Sequence, residues 1–470
     1  MEVVRPFCGT LACAGRGRIT MNTDPARGLQ RSEHRLLLLS GDVVAACAAV
    51  LASLWIWSLT TGFPFDTAFV RKWAIFAVLV PVWVLLLAPA RQLRVGLSLD
   101  LTWRALFVAA ASVAAAYLAA YFYSPRAVLP RLPALYFLWE AALLTLAWRL
   151  CYLYALSRGL FRRRALVISS ASAAASFADL LRAYAPDVEL VASIDPGTTE
   201  GVLDDLVRTH GVAEVILGPR AALTPALMPA LLRWQERGVE VVPMTTEHEH
   251  VLMRVPIADL EPDWMFTSLP EWVRARDASR AAKRIVDILC GLVGLVVLLV
   301  ATPVVALLTV VNSGRPVFYR QRRLGAGGRH LDVLKFRTMV QGAEAEGPQW
   351  AGKADPRVTR VGRWLRRSRL DELPQVLNVL RGDMSMVGPR PERPEFAAVL
   401  ERQIPFYRTR LMVRPGLTGW AQVNMPYGDS VEGAALKLEY DLYYIKHRSF
   451  LFDLWIVLRT AGTVFAMGGR

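Results

Sequence analysis

The chain has 470 residues, enough for two or three domains, and its hydrophobic share of 54% with a mean hydropathy of +0.32 excludes a wholly soluble protein. A formal charge of +15 and a pI near 10.0 suit nucleic acid, an anionic membrane face or phosphorylated substrates, so arginine placement must choose among them. Cys8, Cys13, Cys47, Cys151 and Cys290 show no CxxC or disulfide-framework spacing and read as reduced, mostly buried small hydrophobes.

The first thirty residues lack the charged start, apolar middle and small-residue cleavage site of a signal peptide, and residues 1–35 read as a cytoplasmic N-terminal tail. Met21, which opens MNTDPARGLQRSEHRLLLLS, offers an alternative start. Apolar segments at 36–59, 73–90, 104–123 and 134–156 each approach the roughly 20 residues that a bilayer-spanning helix needs, so 36–156 reads as four transmembrane helices. Arg27, Arg31 and Arg35 precede the first segment, Arg91, Arg94 and Arg104 lie in the second connection, and Arg158, Arg162, Arg163 and Arg164 follow the fourth. By the positive-inside rule both ends of this bundle face the cytoplasm, although Arg71, Lys72, Arg126 and Arg131 reduce the contrast.

Over 165–265, short apolar runs (ALVIS, VELVASI, AEVILG, VEVVP) alternate with helical stretches such as LDDLVRTHG, which predicts a parallel α/β unit. A dinucleotide-binding fold needs glycines in the turn after its first strand, so that pyrophosphate can approach the backbone. Here that turn reads SSASAAAS, so the expected domain is Rossmann-like and without cofactor. His248 and His250 in EHEH lack further ligands at metal-binding spacing and read as a polar loop.

A fifth apolar stretch, 285–311, is long enough to cross a bilayer. Lys283 and Arg284 flank one end and Arg315, Arg320, Arg322 and Arg323 the other, so both flanks ask for the cytoplasmic side. A re-entrant helix that turns back at Pro303 satisfies both: proline lacks an N–H and clashes with the preceding turn, and the Thr302 hydroxyl can satisfy a freed carbonyl. An ordinary span with a proline kink is the other reading. Asp287 near the entry needs a partner, with Lys283 and Arg284 close by in sequence.

Beyond Asn312 the chain is basic, broken by glycine and proline, and leaves little room for a large independent core. Arg320, Arg322, Arg323, Lys335 and Arg337 are read either as phosphate contacts or as a clamp to anionic lipid, with Gly325, Gly327 and Gly328 allowing tight turns. In RVGRWLRRSRL a helix would set Trp364 and Leu365 against arginines, as at a membrane interface, and the final apolar segment, interrupted by Asp453 and Arg459, looks interfacial too. Between Arg363 and Arg393, seven arginines surround the adjacent acids Asp371 and Glu372. Neighbours on an α-helix point about 100° apart, so the two carboxylates should have different roles. One could attack phosphorus and the other hold Mg²⁺ against a diphosphate, although adjacent acids on a basic helix are also ordinary surface ion pairs.

The ordered series KRIVD before the proline-containing apolar helix, PVFYRQRRLG, KFRTM, LDELPQVLNVLRGDMSMVGPRP and RPGLTGWAQVN resembles the bacterial sugar transferase family, the polyisoprenyl-phosphate hexose-1-phosphate transferases, over roughly 280–470. The four helices and the α/β unit resemble its large exopolysaccharide members, and PERPEF, IPFYRTRL and NMPYGDSVEGAALKLEYDLYYIK are most similar to an exosortase-associated group. The resemblance implies transfer of sugar-1-phosphate from a UDP-sugar to undecaprenyl phosphate, with Mg²⁺ required and UMP released, as the first membrane step of repeat-unit assembly. It implies that Asp371 is the nucleophile and Glu372 the Mg²⁺ ligand, with Lys335 and Arg366 beside them. Pro389, Arg390 and Pro391 match the motif associated with the uridine nucleotide, Arg414 of RPG a phosphate contact, and Asp383 a supporting position. Thr302-Pro303 stands where the family commonly has Ser-Pro.

The expected fold is thus an α-helical membrane bundle, a cytoplasmic Rossmann-like α/β domain at 165–265, and a mainly α-helical, membrane-embedded catalytic domain at 280–470 with its re-entrant helix at 285–311. The expected location is the bacterial inner membrane, with the catalytic domain on the cytoplasmic face, where UDP-sugars and the acceptor phosphate meet. The expected partners are inner-membrane lipid and the downstream polysaccharide glycosyltransferases and export machinery. Spacer, dimerisation (a homodimer) and regulation are open readings of the α/β domain. A catalytically inactive membrane scaffold or nucleotide-sensing regulator is the rival reading. Nucleic acid is not expected, because the arginines follow membrane flanks and no recognition motif appears. A processive glycosyltransferase would show an Asp-x-Asp metal motif, which the catalytic half lacks.

Overall fold

The computed structural model describes residues 31–93, 106–107, 109–114, 117–118, 131–185, 187–195, 200–218, 227–260, 262, 264–265, 276–343, 347, 355–425 and 430–465. Contacts divide the chain into two compact units, Met1–Leu252 and Met253–Arg470. Among the described residues three helices are long and apolar enough to cross a membrane, over Glu33–Thr61, Leu132–Ser157 and Ala281–Ser313.

In the first unit, α1 (Arg31–Thr61) already begins inside the expected tail. After the short α2 (Thr67–Lys72), the second predicted span starts as a 3₁₀ turn, Ala74–Val78, and continues as α3 (Leu79–Leu93). Most of the third predicted span, like Met21, Cys8 and Cys13, lies outside the described residues, but Leu106, Ala109 and Val113 pack with Trp57, Trp83 and Phe137 in one apolar core. The fourth is α4 (Arg131–Ser157). Charges inside such a bundle need partners. Asp42 of α1 and Arg149 of α4 form a fully buried ion pair, and His34 Nδ1 lies 2.6 Å from the Tyr152 hydroxyl. Cys47 and Cys151 are exposed on these helices rather than buried, since the outer face of an apolar helix suits a thiol as well as its core does.

The α/β expectation is met by four parallel strands, β1 (Arg163–Ile168), β2 (Val188–Ile194), β3 (Glu214–Leu217) and β4 (Glu240–Pro243), in the order β2-β1-β3-β4. Helices α5 (Ala171–Tyr184), α6 (Glu200–Thr209) and α7 (Met228–Glu236) connect them, so β1 is covered on both faces and reads as a nearly continuous apolar run. The Arg163 guanidinium, at the N-terminal end of the inner strand β1, ties neighbouring strand ends together, bonding buried Asp187 at 3.0 Å and Glu214 at 2.9 Å. EHEH is not a loop: it lies in α8 (Met244–Leu252), with Glu247 and Glu249 buried and the His248 ring edge-on to Phe177. The residues from Met253 onward pack with the second unit, where the Trp420 indole donates to the Met253 carbonyl and Val255 N–H to the Glu439 carbonyl.

The second unit begins with the 38-residue α9 (Arg276–Ser313), which continues as helix through Pro303. Proline frees the carbonyl four residues back, that of Leu299. The Thr302 hydroxyl bonds the Leu298 carbonyl instead, at 2.6 Å, because a threonine's own i−4 carbonyl lies nearest. The hairpin β5 (Phe318–Leu324) and β6 (His330–Phe336) follows, its turn carried by Gly327 and Gly328 at φ of 68° and 78°. Next come α10 (Arg360–Arg367), a 3₁₀ turn Leu370–Gln375, α11 (Val376–Arg381), β7 (Ser385–Val387), α12 (Pro394–Gln403), a second 3₁₀ turn Tyr407–Met412, β8 (Gly416–Thr418), α13 (Trp420–Asn424), α14 (Val431–His447) and α15 (Phe450–Phe465).

This unit has more core than its composition suggested. Leu298 and Val305 of α9 bury against Phe336 and Leu365, and Trp420 stacks on Tyr443 and packs edge-on to Phe452 and tilted against Trp455. Helix α11 lies so close to α9 that a Cβ at Gly291 or Gly294 would stand 2.7 Å from Leu380 or 2.8 Å from Val376. The membrane helix thereby becomes the floor on which the turn carrying the acidic pair is built.

Candidate active site

Helix α10 is capped by Thr359, whose hydroxyl accepts the Gly362 N–H at 2.9 Å, and it separates the two apolar residues read together as an interfacial face: Leu365 is buried in the core with Leu298 and Phe336, while Trp364 stays half exposed. It stops at Ser368. Arg369 is left-handed (φ 57°), and Pro374 has no N–H to return to Leu370, so the chain tightens into the 3₁₀ turn Leu370–Gln375 instead of continuing as an α-helix. Successive side chains on such a turn diverge by about 120°, more than on an α-helix. Asp371 and Glu372 therefore face different surroundings, yet both are buried.

Glu372 sits among cations. Its Oε1 accepts Lys335 Nζ at 3.0 Å, and the Arg390 guanidinium grips both carboxylate oxygens, Nη1 at 3.1 Å from Oε2. Burial pushes its carboxyl upward, but Arg390 and Lys335 outweigh that and hold it well below the usual carboxylate range. Asp371 differs: no group hydrogen-bonds its carboxylate among the described residues. Burial, then the Glu372 charge, push its carboxyl up to about 6 against the pull of Lys335, Arg366 and Arg390. One acid is neutralised and fixed, and its neighbour is left basic and unengaged.

The hairpin and the parallel pair β7/β8 bring the remaining residues in. Asn378 bonds the edge of β6, accepting Leu334 N–H at 3.3 Å and donating to the Asp332 carbonyl at 2.8 Å, which aims Lys335 at the turn. Arg366 donates to the Thr338 hydroxyl at 3.0 Å. The β7/β8 register sets Ser385 against Gly416 and Val387 against Thr418, so Pro389-Arg390-Pro391 lies beside Arg414-Pro415-Gly416. Lys335, Glu372 and Arg390 are in direct contact. Arg414 is exposed and has no hydrogen bond or ion pair among the described residues, Asp383 is exposed in the turn after α11, and Thr302 and Pro303 lie on the membrane helix.

Two arginines read as phosphate or lipid contacts, Arg323 and Arg337, are instead occupied with main-chain carbonyls, and so is the flanking Arg284, which donates to those of Val379 and Leu380, both at 2.7 Å, capping α11. Arg337 donates to Ser313 and Arg315, and Arg323 to Pro391 at 3.0 Å. Sequence reasoning missed Arg410, Asp441, Glu392 and Lys437, an ionic group behind Arg390 in which Arg410 and Asp441 are buried and Glu392 and Lys437 partly so. Their separation in sequence leaves no periodic signal; PERPEF, IPFYRTRL and NMPYGDSVEGAALKLEYDLYYIK contain all four, but as a resemblance that assigned them no role. Asp287 is partnered not by its neighbours Lys283 and Arg284 but by the Ser385 hydroxyl and Met386 N–H, each at 2.8 Å.

A carboxylate pair split between a cation-held and an unengaged member, ringed by basic side chains on a membrane-associated scaffold, suits transfer of a phosphoryl group. Residues 278–467 match the family model for the bacterial sugar transferases. The chain is 41% identical over 211 residues to the UDP-N-acetylgalactosamine-undecaprenyl-phosphate N-acetylgalactosaminephosphotransferase of Aeromonas hydrophila, covering 45% of this chain and 49% of that one. It is 33% identical over 320 residues to the undecaprenyl-phosphate glucose phosphotransferase of Komagataeibacter xylinus, covering 63% and 58%. With the UDP-glucose:undecaprenyl-phosphate glucose-1-phosphate transferase of Caulobacter vibrioides it shares 40% over 205 residues, covering 43% of this chain and 77% of the relative. The chain belongs to the bacterial sugar transferase family. It spans about half the length of the first two of these relatives.

Proposed function

We propose that the protein transfers sugar-1-phosphate from a UDP-sugar to undecaprenyl phosphate, initiating exopolysaccharide repeat-unit assembly. The observation that carries this is the unengaged, basic carboxylate of Asp371 beside the cation-held Glu372. An Asp371 oxygen attacks the β-phosphorus, the bond to the oxygen bridging the two phosphates breaks, and UMP leaves. An oxygen of undecaprenyl phosphate then attacks the same phosphorus and releases the Asp371 carboxylate. Lys335, Arg366, Arg390 and Arg414 supply positive charge around the transferring group, while Pro389 and Pro391 hold Arg390 at the nucleotide side.

Among the described residues no three His, Cys, Asp or Glu side chains gather as a metal cage. Mg²⁺ does not require one, since it is commonly held by one or two carboxylates with substrate phosphates and water. The ionised Glu372 fits that mode, provided that Lys335 and Arg390 shift from it to the diphosphate. Bound there, Mg²⁺ would neutralise charge on the diphosphate.

Purified protein with Mg²⁺, undecaprenyl phosphate and a panel of UDP-sugars should release UMP with at least one sugar, and the responding sugar is its donor. The relatives act on different sugars by name, so the panel must include UDP-glucose and UDP-N-acetylgalactosamine. Release with no sugar would favour the inactive scaffold. Because the nucleophile must be ionised, kcat/KM should rise with pH and level off above about 6, falling about tenfold per unit below it. A profile flat from pH 5 to 8 would count against Asp371 as the attacking group.

For α9, the re-entrant reading is supported by how its ends are tied. Straight, its 38 residues would extend about 57 Å, almost twice the bilayer's hydrocarbon core of about 30 Å. Lys283 bonds the Val387 carbonyl and Asp453, while Asn312 accepts Val361 N–H and Ser313 accepts Arg337, so both ends are fastened to elements of the same unit. The location that follows is the inner membrane, with this unit on the cytoplasmic face. Single cysteines placed at Ser279 and Ser313, in a chain whose native cysteines are replaced, should both react with an impermeant maleimide only when the cytoplasmic face is exposed. Labelling of the two from opposite faces would establish an ordinary span.

A further inference from the structure

The segment Pro389-Arg390-Pro391 presents an unusual anchoring problem. Two of its three residues have no N–H, so only Arg390 can donate a main-chain hydrogen bond, and carbonyls must do more of the anchoring than in a strand or turn. The fold holds it by its carbonyls. Gly416 N–H donates to the Pro389 carbonyl at 2.9 Å, Arg410 Nη2 to the Arg390 carbonyl at 2.9 Å, and Arg323 Nη1 to the Pro391 carbonyl at 3.0 Å.

The middle contact is the most deeply built. Arg410 is 4% exposed, and the same Nη2 that reaches the Arg390 carbonyl also reaches Asp441 Oδ2 at 2.9 Å, while Nη1 donates to the Tyr407 hydroxyl at 2.7 Å. Asp441 is 1% exposed on α14, in a different part of the unit from the acidic turn. A buried guanidinium costs free energy unless its donors and its charge are met, and here one carbonyl, one phenol and one carboxylate meet them. Beside it Glu392 accepts Arg323 at 3.4 Å and Lys437 at 3.2 Å, so the second carbonyl-holding arginine has its counter-charge as well.

We propose that Arg410, braced by Asp441, is a positioning residue: by fixing the Arg390 carbonyl between two prolines it sets the direction from which the Arg390 guanidinium meets Glu372 and the substrate's phosphates. Its partners are Tyr407, the Arg390 carbonyl and Asp441, not the acidic pair. With φ restricted on both sides, a residue between two prolines has few ways to turn, and pinning its carbonyl removes most of those left. The inference rests on the transferase reading of the site, but its structural half does not.

The test is a double-mutant cycle with two independent readouts. Arg410→Gln/Asp441→Asn removes both buried charges together and so avoids leaving one unpaired. It should lower kcat/KM for the donor sugar by about 30-fold in the wild-type background and by less than about twofold in an Arg390→Ala background, because a residue that acts only through Arg390 has nothing left to act on. Loss of folded protein would instead multiply through both backgrounds, and equal losses in the two overturn the proposal. Hydrogen exchange gives the second readout, needing no turnover: amides of 388–393 should exchange at least tenfold faster in the variant while those of α9 and α11 do not change. Unchanged exchange at 388–393 overturns the proposal even if the protein proves inactive. Should the double variant fail to fold, Arg410→Lys, which keeps the charge opposite Asp441 but cannot bridge all three acceptors, should show the same background-dependent loss and the same local exchange. If it behaves as wild type in both, Arg410 is not a positioning residue. A wild-type protein inactive on every sugar, with exchange raised as expected, overturns only the transferase reading.

Discussion

Asp371→Asn is expected to abolish turnover, by about 10⁴-fold or more, on the scale that loss of a covalent nucleophile has in other enzymes. The exchange is nearly isosteric, but an amide oxygen does not attack phosphorus. What makes the result diagnostic is the expected behaviour of the fold. No group hydrogen-bonds the Asp371 carboxylate among the described residues, and burial together with the neighbouring Glu372 charge opposes its ionisation. Replacing it with a neutral amide therefore removes an unfavourable charge at neutral pH and breaks no contact, so the melting temperature should stay level or rise. Mass spectrometry of wild-type protein given UDP-sugar without acceptor should find the phosphosugar adduct, and the variant should show none. Near-normal turnover in a stable variant would remove Asp371 from the chemistry. A collapse in stability would show that its carboxylate makes a contact that the structure does not contain.

How much of this was legible in the sequence divides by physical type. Apolar runs over 36–59 and 134–156 and the strand-helix alternation after Arg163 are periodic signals, and they reappear as α1, α4 and the parallel sheet. The motifs carried the acidic pair to Lys335 and Arg390, because a resemblance transfers positions that composition does not mark. What stayed hidden was pairing across distance. That Arg323, Arg337 and Arg284 hold carbonyls, while Lys335 and Arg390 hold Glu372, depends on contacts between residues up to 95 or 96 positions apart, as for Arg284. An arginine count cannot separate a charge that binds substrate from one consumed in building the loop. The turn itself was misjudged as an α-helix for a local reason: Arg369 adopts a left-handed conformation, which a single non-glycine residue does not announce. The adjacency argument survived this, since a 3₁₀ turn separates neighbours further.

Glu372→Gln is expected to lower both stability and rate, and the two losses can be pulled apart. Glu372 is the shared counter-charge of Lys335 and Arg390, with side-chain exposures of 10%, 16% and 17%. Removing one partner from a buried ionic group leaves the others unpaired, at a cost of about 3 kcal/mol; in a unit of this size that lowers the melting temperature by roughly 6–12 °C. The rate should fall by about 10²–10³-fold if the carboxylate also positions the group that neutralises the diphosphate. Adding Lys335→Met deletes one stranded cation and should return much of the lost stability. Turnover should not return with it, because neither the carboxylate nor the lysine is restored at the site. If the double variant regained rate along with stability, Glu372 would be a structural counter-ion alone, and the division of roles within the acidic pair would fail at its second member. If stability did not recover at all, Arg390 rather than Lys335 would be the cation that Glu372 is needed to balance, and Glu372→Gln paired with Arg390→Gln should then recover it.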